Sequence, residues 1–241
     1  MEKKIGVLYG VGVGPGDPEL LTMKAARILR ESMVIAVPNS DTSTDGKSRA
    51  CQIVEGAVSM EGKETLSLVF PMTKDANILE AARRKAASEI AERLKVGLDV
   101  VFITLGDPML YSTFSYLVPF VRAEVDGLDV RVVPGVTSFC AAASKACVPL
   151  AEANESIVII PAAYDLKTLR SALEAYDTVV IMKVNKKMDE LVDLLESTGR
   201  LNSSIFATRV GWEGESIVTD LKGLKGARHD YFSTLIVKRG I

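Results

Sequence analysis

The feature that most constrains the fold is an apolar run that ends abruptly in a Gly-Asp-Pro turn. Residues 100–105 are apolar except for one threonine, and Gly106, Asp107 and Pro108 follow them directly. Such a run predicts a strand that is buried on both faces, as in a parallel sheet. Ligands of open α/β sheets bind beyond the carboxyl ends of strands, where a glycine lets them approach the backbone. The turn is therefore either a ligand contact or a plain connection from a strand to a helix.

Two further strand-like runs end in similar turns. Residues 5–13 precede the turn Gly-Pro-Gly-Asp-Pro, and residues 130–133 precede Pro-Gly-Val-Thr-Ser. In the second of these turns, Thr137 and Ser138 open a helix of small residues. Their side chains either cap that helix or face a ligand at its N-terminus.

Two nucleotide-binding motifs are matched only in part. The turn at 14–18 lacks the third glycine of a dinucleotide-binding fingerprint, and no acidic residue stands about twenty positions further on. Residues 46–48 match the end of a phosphate-binding loop, but Asp41 replaces its first glycine. We therefore expect neither a standard nicotinamide site nor a kinase or ATPase.

Composition and charge restrict the class of protein. The 241 residues are 48% hydrophobic and 25% charged, with a net charge of −2, which is typical of a soluble globular protein and gives no sign of nucleic-acid binding. No apolar run approaches the roughly 18 residues of a membrane span, and the N-terminus lacks the pattern of a signal peptide. The three cysteines, without a Cys-x-x-Cys motif, predict buried, reduced thiols and a cytoplasmic protein. No histidine or cysteine cluster has the spacing of a metal site.

The order of the elements predicts two α/β domains. Up to residue 134, strand-like runs alternate with helical patterns, of which Asp75 to Lys95 is the longest, so we expect a mostly parallel sheet. Five further strand-like runs follow with helical patterns between only some of them, and the closely spaced last strands favour a mixed sheet. We place the N-terminal domain at residues 1–134 and the C-terminal domain at residues 135–241.

In this order and spacing, the turns are similar to those of the tetrapyrrole methylase family. The resemblance covers essentially the whole chain. Residues 106–114 and 231–234 look most like the branch that methylates C20 of precorrin-2 or of its cobalt form. The segments that carry the resemblance are Gly12–Thr22, Leu105–Pro108, Val133–Ser138 and Met182, which ends a strand.

The resemblance implies a methyltransferase of cobalamin synthesis that uses S-adenosylmethionine. It further implies two α/β domains with this cofactor in a cleft between them, and a homodimer. Carried over residue by residue, the cofactor contacts are Pro15, Leu105, Gly106, Asp107, Leu110, Thr137, Ser138, Met182, Gly211 and Thr234.

The chemistry of this family needs positioning more than a reactive side chain. The sulfonium of S-adenosylmethionine is already a good leaving group, so aligning its methyl group with an electron-rich carbon can contribute roughly 7–11 kcal/mol. No proton acceptor stands out: Tyr111 and Asp17 are weak catalytic candidates, with packing and helix capping as their alternatives. The sole histidine, His229, favours a structural or surface role. Siroheme-forming members carry an acidic residue where this chain has Pro38, which argues against their acid–base scheme.

A tetrapyrrole substrate carries many carboxylates, whereas the chain is slightly acidic, so cations have to be concentrated locally. Any cobalt would arrive with the substrate, and the sequence does not distinguish cobalt-loaded from metal-free precorrin-2. Two other functions stay open: methylation at another carbon of a precorrin or related tetrapyrrole, and a non-catalytic module that binds a nucleoside. The candidate cations, each with ordinary surface charge as its alternative, are Lys47, Arg49, Lys183 and Arg209.

Overall fold

The two halves of the chain form separate compact units. A computed structural model describes residues 4–40, 48–161 and 165–240, and the contacts between α-carbons group Met1–Thr137 apart from Ser138–Ile241. The domain boundary after residue 134 stays a prediction, since these contacts divide the chain after Thr137. None of the helices in the described ranges is both long enough and apolar enough to cross a membrane.

The first unit is built on a parallel five-stranded sheet, as the alternation of strands and helices predicted. Its strands are β1 (Leu8–Gly12), β2 (Val34–Ser40), β3 (Glu64–Phe70), β4 (Val100–Thr104) and β5 (Val130–Val133). They lie in the order β3-β2-β4-β1-β5, and every neighbouring pair is parallel. Strand β4 is central and buried along its whole length, as expected for an apolar run with neighbours on both sides. All carboxyl ends therefore meet at one edge of this sheet.

The helices of the first unit, except the second, begin at side chains that accept hydrogen bonds from the backbone. They are α1 (Met23–Glu31), α2 (Arg49–Ala57), α3 (Ala76–Lys95) and α4 (Thr113–Glu124), with a short 3-10 helix at Pro18–Leu20. Thr22 Oγ1 accepts a hydrogen bond from the N–H of Ala25 at 3.1 Å, and Asp75 caps α3 in the same way. The predicted helix from Asp75 to Lys95 is thus confirmed as α3 with its N-cap.

Close packing between β1 and α4 fixes one side of the core. Phe102 of β4 and Phe114 of α4 are fully buried, with ring centroids 5.7 Å apart. A Cβ atom at Gly10 would lie 2.3–2.6 Å from the Phe114 ring. Only glycine therefore allows α4 to approach β1 this closely.

The second unit contains a mixed five-stranded sheet, as predicted. Its elements are α5 (Ser138–Ala146), β6 (Ile157–Ile160), α6 (Leu166–Ala175), β7 (Thr178–Met182), α7 (Met188–Ser197), β8 (Ser204–Thr208), β9 (Ser216–Val218) and β10 (Ser233–Lys238), with 3-10 helices at Leu201–Ser203 and Leu221–Leu224. The strand order is β6-β7-β10-β8-β9. Strands β6 and β7 are parallel, whereas β10 is antiparallel to β7 and β8, and β9 is antiparallel to β8.

The prediction of buried thiols is wrong for two of the three cysteines. Cys140 and Cys147 are exposed, and Cys51 is half-buried. In α5 the buried face is formed by Phe139 and three alanines, while Cys140 shares the exposed face with Ser144 one turn later. The apolar pattern of this short helix is too uniform to show from the sequence which face is buried.

A buried arginine holds the end of α6. The guanidinium of Arg200 donates hydrogen bonds to the carbonyl oxygens of Leu173, Tyr176 and Asp177, and the residue is only 5% exposed. Burial lowers the pKa of Arg200, because the charged form loses hydration. These bonds satisfy carbonyl groups that the end of a helix leaves unpaired.

We predict that Arg200→Met lowers the free energy of unfolding by about 3 kcal/mol, because three backbone carbonyl groups each lose a hydrogen bond to a buried charged donor. Arg239→Met is the matched control. Arg239 also donates to the carbonyls of Glu174 and Tyr176, but its side chain is 51% exposed, so we expect a loss below about 1 kcal/mol. Equilibrium urea unfolding measures both values. Equal losses would contradict the role assigned to Arg200.

Candidate active site

Three glycines bring the turns after β1, β4 and β5 into direct backbone contact. A Cβ atom at Gly12 would lie 2.4 Å from the carbonyl oxygen of Gly106, and one at Gly135 would lie 2.2 Å from the same oxygen. No side chain fits between these turns. The N–H of Gly106 also donates to the carbonyl of Gly14 at 2.9 Å. We call Gly12, Gly106 and Gly135 the glycine junction.

Gly106 is required for its conformation rather than for lack of space. Its φ is +65°, in the left-handed region that other residues adopt at a cost. A Cβ atom there would have no heavy atom closer than 3.9 Å, from the Thr137 Cα and the Val136 carbonyl oxygen. The peptide at Gly106 therefore stays open on one side, which is the property expected of a turn that a ligand approaches.

Asp107 ties the turn after β4 to the turn after β5. Its Oδ1 accepts a hydrogen bond from the N–H of Met109 at 2.8 Å, and its Oδ2 accepts one from the N–H of Gly135 at 3.0 Å. The family resemblance implied that Asp107 contacts the cofactor. In the structure each oxygen has a backbone partner, so Asp107 shapes the glycine junction, and a direct ligand contact stays a prediction.

Thr137 presents a hydroxyl group without a partner. Its Oγ1 is buried and makes no hydrogen bond within the described part of the chain. Leaving a buried polar group unsatisfied costs about 1–3 kcal/mol. The capping bond that the sequence offered as an alternative is thus not formed by Thr137, and its hydroxyl is available to a ligand beside Gly106. Ser138 is the first residue of α5.

The other predicted residues of the first unit lie around the same turns. Pro15 is buried in the turn after β1, and Leu105 and Leu110 are half-buried after β4. Tyr111 is exposed and has a left-handed φ of +50°. Asp17 Oδ1 caps the 3-10 helix by accepting a hydrogen bond from the N–H of Glu19 at 2.9 Å, which is its structural alternative. Catalytic roles for Tyr111 and Asp17 stay predictions.

In the second unit, the predicted residues lie near the N-terminal end of β10. Met182 is paired with Thr234 across the β7–β10 ladder. Lys183 and Arg209 directly follow β7 and β8, both with left-handed φ values, of +56° and +52°. The N–H of Lys183 donates to the Ser233 carbonyl, and the N–H of Arg209 donates to the Phe232 carbonyl, each at 2.8 Å. Both candidate cations are therefore held at the same edge of this sheet.

The two cations differ in their side-chain partners. Arg209 Nε lies 3.1 Å from Asp230 Oδ2, close enough for an ion pair but out of line for a hydrogen bond. The ammonium of Lys183 lies 5.5 Å from the centroid of the Tyr231 ring, within the range of a cation–π contact. No carboxylate of the described residues pairs with Lys183. Lys183 thus keeps its charge available, whereas Arg209 already has a counter-ion.

The predicted contact at Gly211 has its N–H engaged. That N–H donates to Glu215 Oε2 at 2.6 Å, and Glu215 Oε1 lies 3.1 Å from Lys145 Nζ. The backbone hydrogen bond from Gly211, followed by the bond from Lys145, lowers the pKa of Glu215 despite its partial burial. A ligand at Gly211 therefore has to contact its carbonyl group or its Cα atom, which no side chain covers, rather than its N–H.

The remaining candidates are placed less completely. Lys47 lies outside the described residues. Arg49 is the half-buried first residue of α2, directly after Ser48, whose hydroxyl donates to the Pro38 carbonyl at 3.0 Å.

His229 has a structural setting, with Nε2 2.9 Å from the Leu224 carbonyl oxygen and its ring against Phe206. Within the described ranges, no group of three or more His, Cys, Asp or Glu side chains is placed to hold a metal ion.

The structure adds one candidate for a ligand-binding residue, which the sequence did not indicate. Asn39, in β2, has a buried side-chain oxygen with no partner among the described residues. A polar residue near the end of a strand is common, and no motif marks this one. The only signal in the sequence is its position beside Pro38, where siroheme-forming enzymes of the family that the chain resembles carry an acidic residue.

Comparison with known proteins supports the family resemblance. The model of the tetrapyrrole (corrin/porphyrin) methylases matches residues 7–225. The chain is 34% identical to a protein of Methanocaldococcus jannaschii named as a probable cobalt-precorrin-2 C(20)-methyltransferase, with 99% of each chain covered. It is 33% identical to the cobalt-precorrin-2 C(20)-methyltransferase of Salmonella typhimurium, with 97% of each covered. It is also 30% identical to the precorrin-2 C(20)-methyltransferase of a Sinorhizobium species, over 97% of this chain and 95% of that one.

Solved structures share the fold at lower sequence identity. The cobalt precorrin-4 methyltransferase CbiF is 22% identical, with a TM-score of 0.70 over 96% of this chain and 94% of that one. The uroporphyrin-III C-methyltransferase of Thermus thermophilus, whose structure contains S-adenosylhomocysteine, is 23% identical, with a TM-score of 0.67 over 97% of this chain and 98% of that one. The family match, the full-length relatives and the shared fold agree with one another. The chain therefore belongs to the tetrapyrrole (corrin/porphyrin) methylase family.

Proposed function

We propose that the protein transfers a methyl group from S-adenosylmethionine to C20 of precorrin-2 or cobalt-precorrin-2 in cobalamin biosynthesis. The observation that carries this proposal is the similarity, at 30–34% identity over nearly the whole chain, to three relatives that are named for this reaction. The homodimer stays a prediction from the family resemblance, and the cytoplasmic location stays a prediction from the cysteine content.

The glycine junction suits a nucleoside cofactor. A bulky ligand can reach the backbone there because Gly106 has no side chain and its surroundings are open on one side. The buried, unpaired hydroxyl of Thr137 lies beside it and supplies one donor and one acceptor. In this proposal Thr137 binds the cofactor directly, Asp107 holds the turns in place, and Pro15, Leu105 and Leu110 contribute apolar contacts.

When bound, S-adenosylmethionine supplies an activated methyl group on its sulfonium. The task of the protein is then to hold donor and acceptor in line, which contributes roughly 7–11 kcal/mol to lowering a barrier. Asp107 acts indirectly, because its two backbone hydrogen bonds fix the shape of the turn. Because the cofactor supplies the activated methyl group and the protein supplies the alignment, the reaction requires no nucleophilic side chain.

Cations at the start of β10 suit the carboxylates of the substrate. Among the described residues, Lys183 has only an aromatic partner for its ammonium, so it can pair with a carboxylate without breaking an existing ion pair. Arg209 would first have to loosen its contact with Asp230. Among the predicted substrate cations, Lys183 is therefore the stronger candidate in this unit.

The first test of the function is a methylation assay. The purified protein, incubated with S-adenosylmethionine and either precorrin-2 or cobalt-precorrin-2, should add one methyl group and release an equal amount of S-adenosylhomocysteine. Mass spectrometry measures the gain, and NMR of the product locates the methyl group at C20. A methyl group at another carbon would support a different tetrapyrrole methyltransferase, and cofactor binding without any transfer would support a non-catalytic module.

A second prediction concerns the Thr137 hydroxyl. Thr137→Val preserves the shape of the side chain but removes the hydroxyl, and we expect about tenfold weaker binding of S-adenosylhomocysteine by calorimetry, since one buried hydrogen bond contributes about 1 kcal/mol. The free protein should be equally or more stable, because the variant loses an unsatisfied buried group.

Thr22→Val is the matched control for this variant. Thr22 caps α1, so its replacement should cost about 1 kcal/mol of stability and leave the affinity unchanged. Unchanged affinity in Thr137→Val, together with a loss of stability like that of Thr22→Val, would show that Thr137 has a structural role instead.

A third prediction concerns the bridge made by Asp107. Asp107→Ala frees the N–H groups of Met109 and Gly135, so the turns lose their fixed geometry, and we expect at least tenfold weaker cofactor binding in a protein that still folds. Asp99→Ala is the control, because Asp99 also accepts a backbone hydrogen bond, from Val7 at 2.8 Å, but at the amino ends of the strands. Both variants should lose stability, Asp107→Ala more because it loses two backbone hydrogen bonds, and only Asp107→Ala should lose affinity. The same calorimetric affinity in both would refute the bridge.

A further inference from the structure

Asn39 lies on the sheet edge that carries the glycine junction, but on the other side of β4. Strand β2 pairs with β4 as far as Ala36 opposite Phe102. Counting on from that pair places Asn39 level with Leu105, the first residue of the turn after β4. Strands β1 and β5 lie on the opposite side of β4.

The orientation of the Asn39 amide is fixed by its neighbours. Its Nδ2 donates a hydrogen bond to Ser67 Oγ at 2.7 Å and lies 3.5 Å from the Val37 carbonyl oxygen. The Ser67 hydroxyl can pair with either atom of the amide, whereas a carbonyl can only accept. The contact with Val37 therefore favours the orientation in which the nitrogen faces Val37 and the oxygen faces away.

The oxygen that faces away is the unusual part. Asn39 Oδ1 is buried and has no hydrogen-bond partner among the described residues. Buried polar atoms are almost always paired, and an unpaired one costs about 1–3 kcal/mol. In the described part of the chain, Asn39 Oδ1 and Thr137 Oγ1 are the two such atoms that lie near the carboxyl ends of strands of the first sheet.

A carbonyl oxygen accepts hydrogen bonds and cannot donate them, so its partner must be an N–H or O–H group. The cofactor candidates of this unit lie on the turns after β1, β4 and β5, whereas Asn39 lies one residue before the end of β2, which is separated from β1 by β4. A metal-free tetrapyrrole presents N–H groups at the centre of its ring. Next to Asn39, the bond from Ser48 to the Pro38 carbonyl holds the first turn of α2, with Arg49, against the end of β2.

We infer that Asn39 is a substrate-binding residue whose side-chain oxygen accepts a hydrogen bond from a ring N–H of the tetrapyrrole. This inference rests on the proposed function, because it takes the substrate class from it. It assigns to β2 the recognition of the macrocycle, and to the glycine junction the binding of the cofactor.

The test compares Asn39→Leu with Ser67→Ala. Leucine has nearly the shape of asparagine but no acceptor, so the dissociation constant for metal-free precorrin-2, measured by absorbance titration with S-adenosylhomocysteine present, should rise about tenfold. Ser67→Ala removes a partner of the amide nitrogen and leaves the Asn39 oxygen, so its effect should be smaller than threefold. Asn39→Ala replaces the leucine variant if thermal unfolding shows that the latter does not fold.

Two further measurements identify the donor. The affinity for S-adenosylhomocysteine alone should not change in Asn39→Leu, and a tenfold loss there would assign the contact to the cofactor and overturn the inference. In cobalt-precorrin-2 the ring nitrogens coordinate the metal, so Asn39→Leu should weaken its binding less than that of precorrin-2. An equal loss with both substrates, or equal effects of Asn39→Leu and Ser67→Ala, would also overturn it.

The binding titration separates this inference from the proposed function. A wild-type protein that binds precorrin-2 but transfers no methyl group contradicts the function and still allows the comparison of variants. A wild-type protein that methylates C20, together with an Asn39→Leu variant of unchanged affinity and KM, contradicts the inference alone.

Discussion

The contact between the backbones of Gly12, Gly106 and Gly135 is the constraint on which the rest of the first unit depends. Neighbouring strands of a sheet lie about 4.8 Å apart, so the turns that leave β4, β1 and β5 have to share very little space. Here they share it by having no side chain at the points of contact. The peptide groups thereby become the surface at the end of the sheet, so in the proposed function the backbone sets the geometry of the cofactor contact.

Satisfied and unsatisfied polar groups have different tasks around this junction. Asp107 has a backbone partner for each carboxylate oxygen, so it contributes to the shape of the turns in the free protein. Thr137 Oγ1 and Asn39 Oδ1 have none among the described residues, which costs stability in the free protein, and in the proposed function a ligand supplies the missing partner. In the proposed function, the hydrogen bonds thus distinguish a residue that builds the site from a residue that binds the ligand, although both are polar residues near the ends of strands.

The sequence predicted what depends on local pattern and missed what depends on distant partners. The apolar run before Gly106 and the alternation of strands and helices correctly predicted the parallel sheet, because burial and turn chemistry are written in neighbouring residues. The partner of Asp107 is Gly135, 28 residues away, and no local pattern encodes that bond. Asn39 was missed for the same reason, since its role depends on Ser67 and on an atom left without a partner. The prediction of buried thiols was wrong for Cys140 and Cys147, because composition says nothing about which helix face is buried.

Lys183 and Arg209 have similar backbone conformations, but their side chains have different partners. Each directly follows a strand, each adopts a left-handed conformation, and each donates its N–H to the beginning of β10 or the residue before it. A left-handed non-glycine residue costs roughly 1–2 kcal/mol, so the fold spends energy to place both side chains at this edge. Arg209 uses its position to meet Asp230, and an incoming carboxylate would have to compete with that partner. Lys183 rests against the face of Tyr231, a contact that orients the ammonium without neutralising it. In the proposed function, the strain at Arg209 therefore supports the structure of the edge, and the strain at Lys183 positions a charge for the substrate.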